Sequence, residues 1–96
     1  GRTPHLSRFI NFEMPNIYIL KSLSGGSYYV GCCKDLSKRF NQHNAGLVKS
    51  TKRSIPWEIV YEESYGTLSM ARIREKEIKS WKKRSSIEKL IGISKF

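Results

Sequence analysis

The chain has 96 residues, with 18 Lys or Arg against 8 Asp or Glu, so its formal net charge at pH 7 is +10. That length suits one domain, because a single hydrophobic core typically serves about 100 residues. No run approaches the roughly 18 apolar residues of a membrane span, and the first residues do not show a signal-peptide pattern. The excess of positive charge attracts polyanions, so the sequence favours a nucleic-acid partner over an anionic membrane surface or an acidic protein.

The two cysteines, Cys32 and Cys33, are neighbours. Adjacent side chains of a strand point to opposite faces, so a disulfide between them is geometrically poor. We therefore expect a reducing compartment and a cytoplasmic protein. Together with His5 and His43, the two cysteines lack the spacing of a structural zinc site.

Residues 1–15 differ in character from the rest of the chain, and Met14 stands just before the first regular segment. We expect 1–15 to be an added or read-through leader, followed by a single domain over 16–92 and a C-terminal tail over 93–96. The alternative is an arm that docks onto the domain through its apolar residues, which are Phe9, Ile10 and Phe12.

A β-hairpin is the strongest local signal. Apolar, β-branched runs over 17–23 and 28–33 flank Gly25-Gly26, which predicts two strands joined by a two-residue turn. In that register Gly31 lies opposite Leu20, and a glycine inside a strand often marks close approach by a ligand or a backbone.

Alternation of side chains gives this hairpin two faces. One is an ordinary apolar core face, made of Ile17, Ile19, Leu23, Tyr28, Val30 and Cys32. The other carries two phenols and small residues, and it is made of Tyr18, Leu20, Ser22, Tyr29, Gly31 and Cys33. Two strand tyrosines alone are more typical of packing than of chemistry.

A short helix follows the hairpin. Asp35 is a typical N-cap, apolar residues recur at helical spacing, and Gly46 is a typical stop, so a helix is predicted over 36–44. The next stretch, 47–56, is predicted to be a basic loop.

A third strand and two helices complete the predicted order. The run over 57–63 predicts the strand, Thr67 predicts the start of a helix from 68 to about 84, and a last short helix is expected over 85–91. The order β-β-α-β-α-α predicts an α+β domain, in which a small sheet is covered by helices.

Charge is distributed unevenly along the chain. Residues 34–53 hold six basic and one acidic residue, and 72–84 hold seven and two, whereas 54–71 hold three glutamates and no Lys or Arg. An acidic segment between two basic ones favours a basic binding face over an evenly solvated Lys-rich surface.

Arg39 and His43 lie four residues apart on the first predicted helix, so both project from one side. Such a pair is usually a polar helix face, but this one neighbours the face that carries two phenols. On the second predicted helix, Glu75 stands at the edge of an apolar arc and needs a partner. Periodicity does not distinguish Glu75 from Glu77, and the alternative to a metal ion is a salt bridge, with Arg72 or Lys79.

Phosphodiester hydrolysis needs groups of these types. A tyrosine, with an ordinary pKa of about 10, serves as a base only where nearby positive charge lowers its pKa. The planar fork of Arg39 suits a non-bridging phosphate oxygen. A single carboxylate with several waters is the usual protein share of a Mg²⁺ site.

An ordered set of short motifs spans residues 15–84. They are Asn16-Ile17-Tyr18, Tyr29-Val30-Gly31, Asp35-Leu36-x-x-Arg39-x-x-x-His43-Asn44, Pro56-Trp57-Glu58 and Ala71-x-x-x-Glu75-x-x-Ile78-Lys79. This set resembles the GIY-YIG nuclease superfamily, in particular its small single-domain bacterial branch. Asn16 replaces the first Gly of the family motif, Val30 replaces the central Ile, and Cys32 stands where excision-repair relatives often carry Lys.

The resemblance implies a three-stranded antiparallel sheet flanked by helices and metal-dependent cleavage of nucleic acid by water. Tyr18 would be the general base or its activator, and Tyr29 would support it at the phosphate. Arg39 would hold the scissile phosphate, and His43 would assist through the Tyr18 hydroxyl or the phosphate. Glu75 would bind Mg²⁺ or Mn²⁺. The expected substrate contacts are Gly31, which would leave room for the substrate backbone, and the basic residues Lys34, Lys38, Lys49, Lys52 and Arg53.

The leading hypothesis is a structure-selective endonuclease, with DNA favoured over RNA and a role in DNA repair. We expect a monomer or weak dimer without membrane association, and a protein partner that supplies specificity, since the length leaves no room for a specificity domain. The alternatives are a non-catalytic nucleic-acid-binding module on the same scaffold and a basic adaptor for an acidic protein surface.

Overall fold

The computed structural model describes residues 14–94 as an α+β domain in the predicted order, which confirms the predicted fold class. Its elements are β1 (Asn16–Ser22), β2 (Tyr28–Cys33), α1 (Leu36–Asn44), β3 (Trp57–Ser64), α2 (Leu68–Lys79) and α3 (Arg84–Ser94), with a 3-10 turn at Lys52–Ser54. The predicted leader or docking arm lies mainly outside the described residues. In this part of the chain no helix is long and apolar enough to span a membrane.

The strands form one antiparallel sheet in the order β2-β1-β3, so the central strand is β1. Its sequence is apolar at successive positions, and both of its faces are buried: Ile17 and Ile19 on one side, Tyr18 and Leu20 on the other. A strand of this kind requires cover on both faces of the sheet.

The predicted hairpin register is wrong by two residues. Gly31 pairs with Tyr18 instead of Leu20, and Leu20 pairs with Tyr29. The turn is longer than the predicted two residues because Ser22 organises it: the Gly25 backbone N–H donates to Ser22 Oγ at 3.0 Å, and the Gly26 N–H donates to Ser22 O at 2.9 Å. A shift of two preserves the predicted faces, since side chains alternate with a period of two.

The two faces carry separate cores. Helices α2 and α3 cover the first face through Ala71, Ile78 and Ile91, as part of a cluster that includes Val30. Helix α1 and Trp57 cover the second face, around Tyr18 and Leu20. Leu23, which was expected on the first face, is 59% exposed because it lies in the lengthened turn.

The helix boundaries follow their caps. Asp35 Oδ1 accepts from the Lys38 N–H at 3.1 Å to start α1, and Gly46, with φ of +78°, follows its end. Thr67 caps α2 as predicted. Helix α2 ends at Lys79 instead of near 84, because the Ser80 hydroxyl bonds back to Glu77 O at 2.6 Å.

The last helix is longer than predicted. It runs over Arg84–Ser94 instead of 85–91, and so enters the segment assigned to the tail. Arg84 Nη2 donates to Gly26 O at 2.7 Å, so the start of α3 is joined to the hairpin turn.

Candidate active site

Four of the predicted site residues lie together on the face of the sheet that α1 covers. Tyr18 comes from β1, Tyr29 from β2, and Arg39 and His43 from successive turns of α1. The ring centroids of Tyr18 and Tyr29 are 6.3 Å apart, and those of Tyr29 and His43 are 5.0 Å apart. The Tyr18 hydroxyl lies 2.9 Å from His43 Nε2, which is the central contact of this cluster.

Gly31 makes room for Tyr18. The two residues pair across the β1–β2 ladder, and a Cβ at position 31 would overlap the Tyr18 ring and hydroxyl. The expected role of Gly31, to leave room for a substrate backbone, is therefore corrected: the space beside this glycine is filled by the tyrosine. Gly31 determines where the Tyr18 hydroxyl lies.

His43 is fully buried, and both of its ring nitrogens have partners. Nδ1 lies 2.8 Å from Thr51 Oγ1, and Nε2 faces Tyr18. Burial lowers the pKa of His43 below its ordinary value of 6.5, and the positive charge of Arg39 lowers it further. The imidazole is therefore neutral at pH 7 and has a lone pair for a proton.

Tyr18 does not behave as the sequence predicts for a tyrosine beside positive charge. Burial raises the pKa of its hydroxyl well above the ordinary value of 10, although the Arg39 guanidinium beside it acts in the opposite direction. The side chain is only 1% exposed, so desolvation outweighs the attraction. Tyr18 is thus a neutral phenol, and its proton has an acceptor at His43.

Basic side chains lie on one side of the cluster formed by Tyr18, Tyr29, Arg39 and His43. The loop after α1 forms an open groove of about 780 Å³, lined by Val48, Lys49, Ser50, Lys52 and Arg53. Lys34 and Lys38 are also exposed, before and within α1. Arg39 is half-buried, and its Nη1 donates to Gln42 Oε1 at 3.1 Å. The cations predicted to contact substrate therefore lie on α1, just before it and in the following loop.

Glu75 lies elsewhere. Helix α2 packs against the opposite face of the sheet, and Glu75 Oε2 pairs with Lys79 Nζ at 3.1 Å, which is one of the salt bridges left open by the sequence. Burial raises the pKa of the thiol of Cys32, a residue of the edge strand β2, and the negative charge of Glu75 raises it further. The described contacts thus join the other four residues to one another and place Glu75 across β2 from them.

A divalent ion at this site would be bound by one carboxylate, that of Glu75. Among residues 14–92 there is no group of three His, Cys, Asp or Glu side chains that could hold a metal. Mg²⁺, however, commonly keeps several waters and takes one or two carboxylates along with substrate phosphates. The Glu75 side chain is 21% exposed, so it fits that donor set if Lys79 releases it.

The sequence did not reveal how α1 is fixed to the sheet. The Trp57 N–H donates to Asn44 Oδ1 at 2.6 Å, and Asn44 Nδ2 donates to Trp57 O at 3.1 Å, so one amide side chain bonds both polar groups of a strand residue. Thr51 was also missed: it is 1% exposed, and its carbonyl accepts from Trp57 Nε1 at 3.0 Å. A single Thr in a basic loop has no periodicity that would mark it.

Comparison with known proteins gives one consistent result. A family model described as "GIY-YIG catalytic domain" matches residues 14–89. A UPF0213 protein of Staphylococcus epidermidis is 41% identical over 73 residues, which is 75% of this chain and 88% of that protein. A UPF0213 protein of Staphylococcus aureus is 42% identical over 72 residues, with 74% and 87% covered. The solution NMR structure of the UPF0213 protein BH0048 from Bacillus halodurans matches with a TM-score of 0.55 and 27% identity, covering 83% of this chain and 84% of that one.

Proposed function

The chain belongs to the GIY-YIG family, and on that premise we propose that it is a divalent-metal-dependent endonuclease that hydrolyses phosphodiester bonds in DNA. The observation that carries this proposal is the 2.9 Å contact between the Tyr18 hydroxyl and Nε2 of a neutral, buried His43. A phenol with a raised pKa is a poor base by itself, but a phenol that passes its own proton to an imidazole can accept one from water.

The proposed reaction follows from this pair. A water molecule gives a proton to the Tyr18 oxygen while the phenolic proton moves to His43 Nε2. The water oxygen forms a bond to phosphorus, the bond from phosphorus to the 3′-oxygen breaks, and the 3′-oxygen takes a proton from solvent. Arg39 lies beside Tyr18 and His43, where its guanidinium would hold a non-bridging oxygen, and Tyr29 supports the cluster through ring contacts.

Glu75 is the proposed ligand of Mg²⁺ or Mn²⁺. When bound, the ion supplies charge neutralisation at the phosphate and stabilises the leaving oxygen. Lys79 holds the carboxylate in the absence of a metal, and a competing cation would displace that ammonium.

The substrate is proposed to be DNA, read by its shape. Exposed Lys and Arg side chains in the groove contact phosphates, which carry no base sequence. Selection of branched or flapped substrates would suit a role in DNA repair in the cytoplasm, in keeping with the free thiols of Cys32 and Cys33.

A nicking assay with branched, flapped and single-stranded DNA in Mg²⁺ or Mn²⁺ tests the proposal. We expect cleavage by the wild type, a loss of about 100-fold or more in Tyr18→Phe, and a comparable loss in Glu75→Gln. Glu77→Gln is the matched control, because it removes a carboxylate from the same helix without changing the proposed ligand. Equal background from the wild type and Glu75→Gln on every substrate would show that the enzyme proposal is wrong.

A non-catalytic nucleic-acid-binding module is the second candidate. The observation that favours it is the position of Glu75, paired with Lys79 and on the other side of β2 from the tyrosines. It predicts salt-sensitive binding that does not depend on divalent ions and that Tyr18→Phe leaves unchanged.

A further inference from the structure

A chain of hydrogen bonds extends from Tyr18 through His43 into the basic loop. His43 Nδ1 lies 2.8 Å from Thr51 Oγ1, and the Thr51 hydroxyl in turn donates to Val48 O at 3.4 Å. The three side chains in this chain are at most 1% exposed. Solvent therefore does not compete for these bonds, and the protons on them are determined by the protein itself.

The groups at the two ends of the chain favour one direction for its hydrogen bonds. The Val48 carbonyl can only accept, so a Thr51 hydrogen directed to it at 3.4 Å leaves Thr51 Oγ1 to accept from His43 Nδ1. At the other end the Arg39 guanidinium has only donors and lies beside the Tyr18 oxygen, so a proton on Nε2 would face positive charge. Both ends favour the tautomer with hydrogen on Nδ1 and a lone pair on Nε2.

We propose that Thr51 is a positioning residue that holds His43 in the Nδ1–H tautomer, so that Nε2 can accept the proton of Tyr18. The catalytic consequence of this inference rests on the proposed function, whereas the assignment of the tautomer is independent of it. After proton transfer the imidazolium carries hydrogen on both nitrogens, and each has an acceptor: the Tyr18 oxygen on one side and Thr51 Oγ1 on the other.

Thr51 is well placed for this task because its own position is determined on several sides. Its backbone N–H donates to Val48 O at 3.1 Å, and its carbonyl accepts from Trp57 Nε1 at 3.0 Å. The hydrogen bond that a ring nitrogen makes normally decides which tautomer a histidine adopts. Because the Thr51 backbone is hydrogen-bonded through both its N–H and its carbonyl, the Thr51 hydroxyl has a defined position from which it can hold the His43 ring in one tautomer.

The test combines NMR with kinetics on the full chain. Long-range ¹H–¹⁵N correlation of uniformly labelled protein at pH 7.5 reports the protonation of each ring nitrogen, and His43→Gln assigns the signals. We expect wild-type His43 to be protonated at Nδ1 only. In Thr51→Val, which removes the hydroxyl but keeps the shape, we expect a mixture of tautomers and a cleavage rate reduced about 10- to 100-fold at unchanged DNA affinity.

Conservative replacement completes the design. Thr51→Ser keeps the hydroxyl and is expected to restore both the tautomer and most of the rate, whereas a packing role would leave it impaired by the missing methyl group. Thr51→Ala replaces Thr51→Val if that variant does not fold. The proposal is overturned by hydrogen on Nε2 in the wild type, or by a wild-type tautomer in the variants that lack the hydroxyl. A wild type that cleaves no DNA would refute the proposed function, while the NMR result would still decide the role of Thr51.

Discussion

At the scale of single residues, the site is a set of buried polar side chains that form hydrogen bonds with one another instead of with water. His43 is fully buried and no carboxylate pairs with it in the described contacts. A neutral imidazole can be buried at this position because both of its ring nitrogens are hydrogen-bonded. The same burial that keeps the imidazole neutral also raises the pKa of the Tyr18 hydroxyl. Desolvation thus gives the pair a proton donor and a proton acceptor at neutral pH.

The lowered pKa of His43 makes stability depend on pH. The unfolded chain binds the proton more readily than the folded one, so this contribution is fully present above pH 6.5 and is lost as pH falls through the folded-state pKa. We expect the free energy of unfolding, measured in urea, to decrease as pH falls below 6.5, by at most about 1.4 kcal/mol per pH unit.

His43→Gln is expected to flatten this dependence. The carboxylate of Glu63 does not interfere, because its pKa lies below 4.5 and its effect falls at lower pH. The same slope in His43→Gln as in the wild type would contradict the assignment.

At the scale of elements, the position of α1 relative to β3 decides where Arg39 and His43 lie. The Asn44 side chain bonds the N–H and the carbonyl of Trp57, much as a neighbouring strand would. Trp57 in turn lies with its ring centroid 6.3 Å from that of Tyr29. One amide at the end of α1 therefore links the helix to the sheet directly beside the site.

Replacing Asn44 tests this link. Asn44→Ala leaves the N–H of the buried Trp57 without its partner, so we expect a loss of about 1–3 kcal/mol in the free energy of unfolding. Asn44→Asp keeps the acceptor for that N–H and is expected to lose less. Asn41→Ala, at an exposed position of the same helix, serves as the control, and a cost equal to that of Asn44→Ala would disprove the link.

The elements also show what the sequence could and could not predict. The faces of the hairpin were predictable because alternation survives a register shift of two, but the length of the turn was not, because it depends on the Ser22 side chain. The caps at Asp35 and Thr67 are local signals and were predicted correctly. The role of Thr51 depends on a contact eight residues away and on burial, neither of which leaves a pattern in the chain.

At the scale of the whole molecule, the net charge of +10 divides into paired and unpaired parts. The described ion pairs all lie within residues 63–88: Arg74 with Glu63 and Glu77, Lys79 with Glu75, and Arg84 with Glu88. The basic residues of 34–53 are not in these pairs. The positive charge that is most available to a polyanion therefore lies beside Tyr18 and His43.

This division predicts which cations bind nucleic acid. We expect the combined variant Lys49→Ala, Lys52→Ala, Arg53→Ala to reduce the slope of log affinity against log salt for duplex DNA by about 2–3, since each released phosphate contact contributes about 0.9. The control variant Lys76→Ala, Lys82→Ala, Lys83→Ala removes equal charge from the other basic segment and is expected to change the slope less. Equal changes in both variants would show that net charge alone governs binding.

The thin sheet between two cores has a consequence for motion. Glu75 and the tyrosine cluster lie on opposite sides of it, and the strand between them is β2, which is hydrogen-bonded to a neighbouring strand on one side only, through β1. Local opening costs least where backbone groups are exposed to solvent, which an edge strand allows on its unpaired side. Tyr29 is carried by β2 itself, so amide exchange along this strand measures how firmly the sheet holds this tyrosine in the cluster.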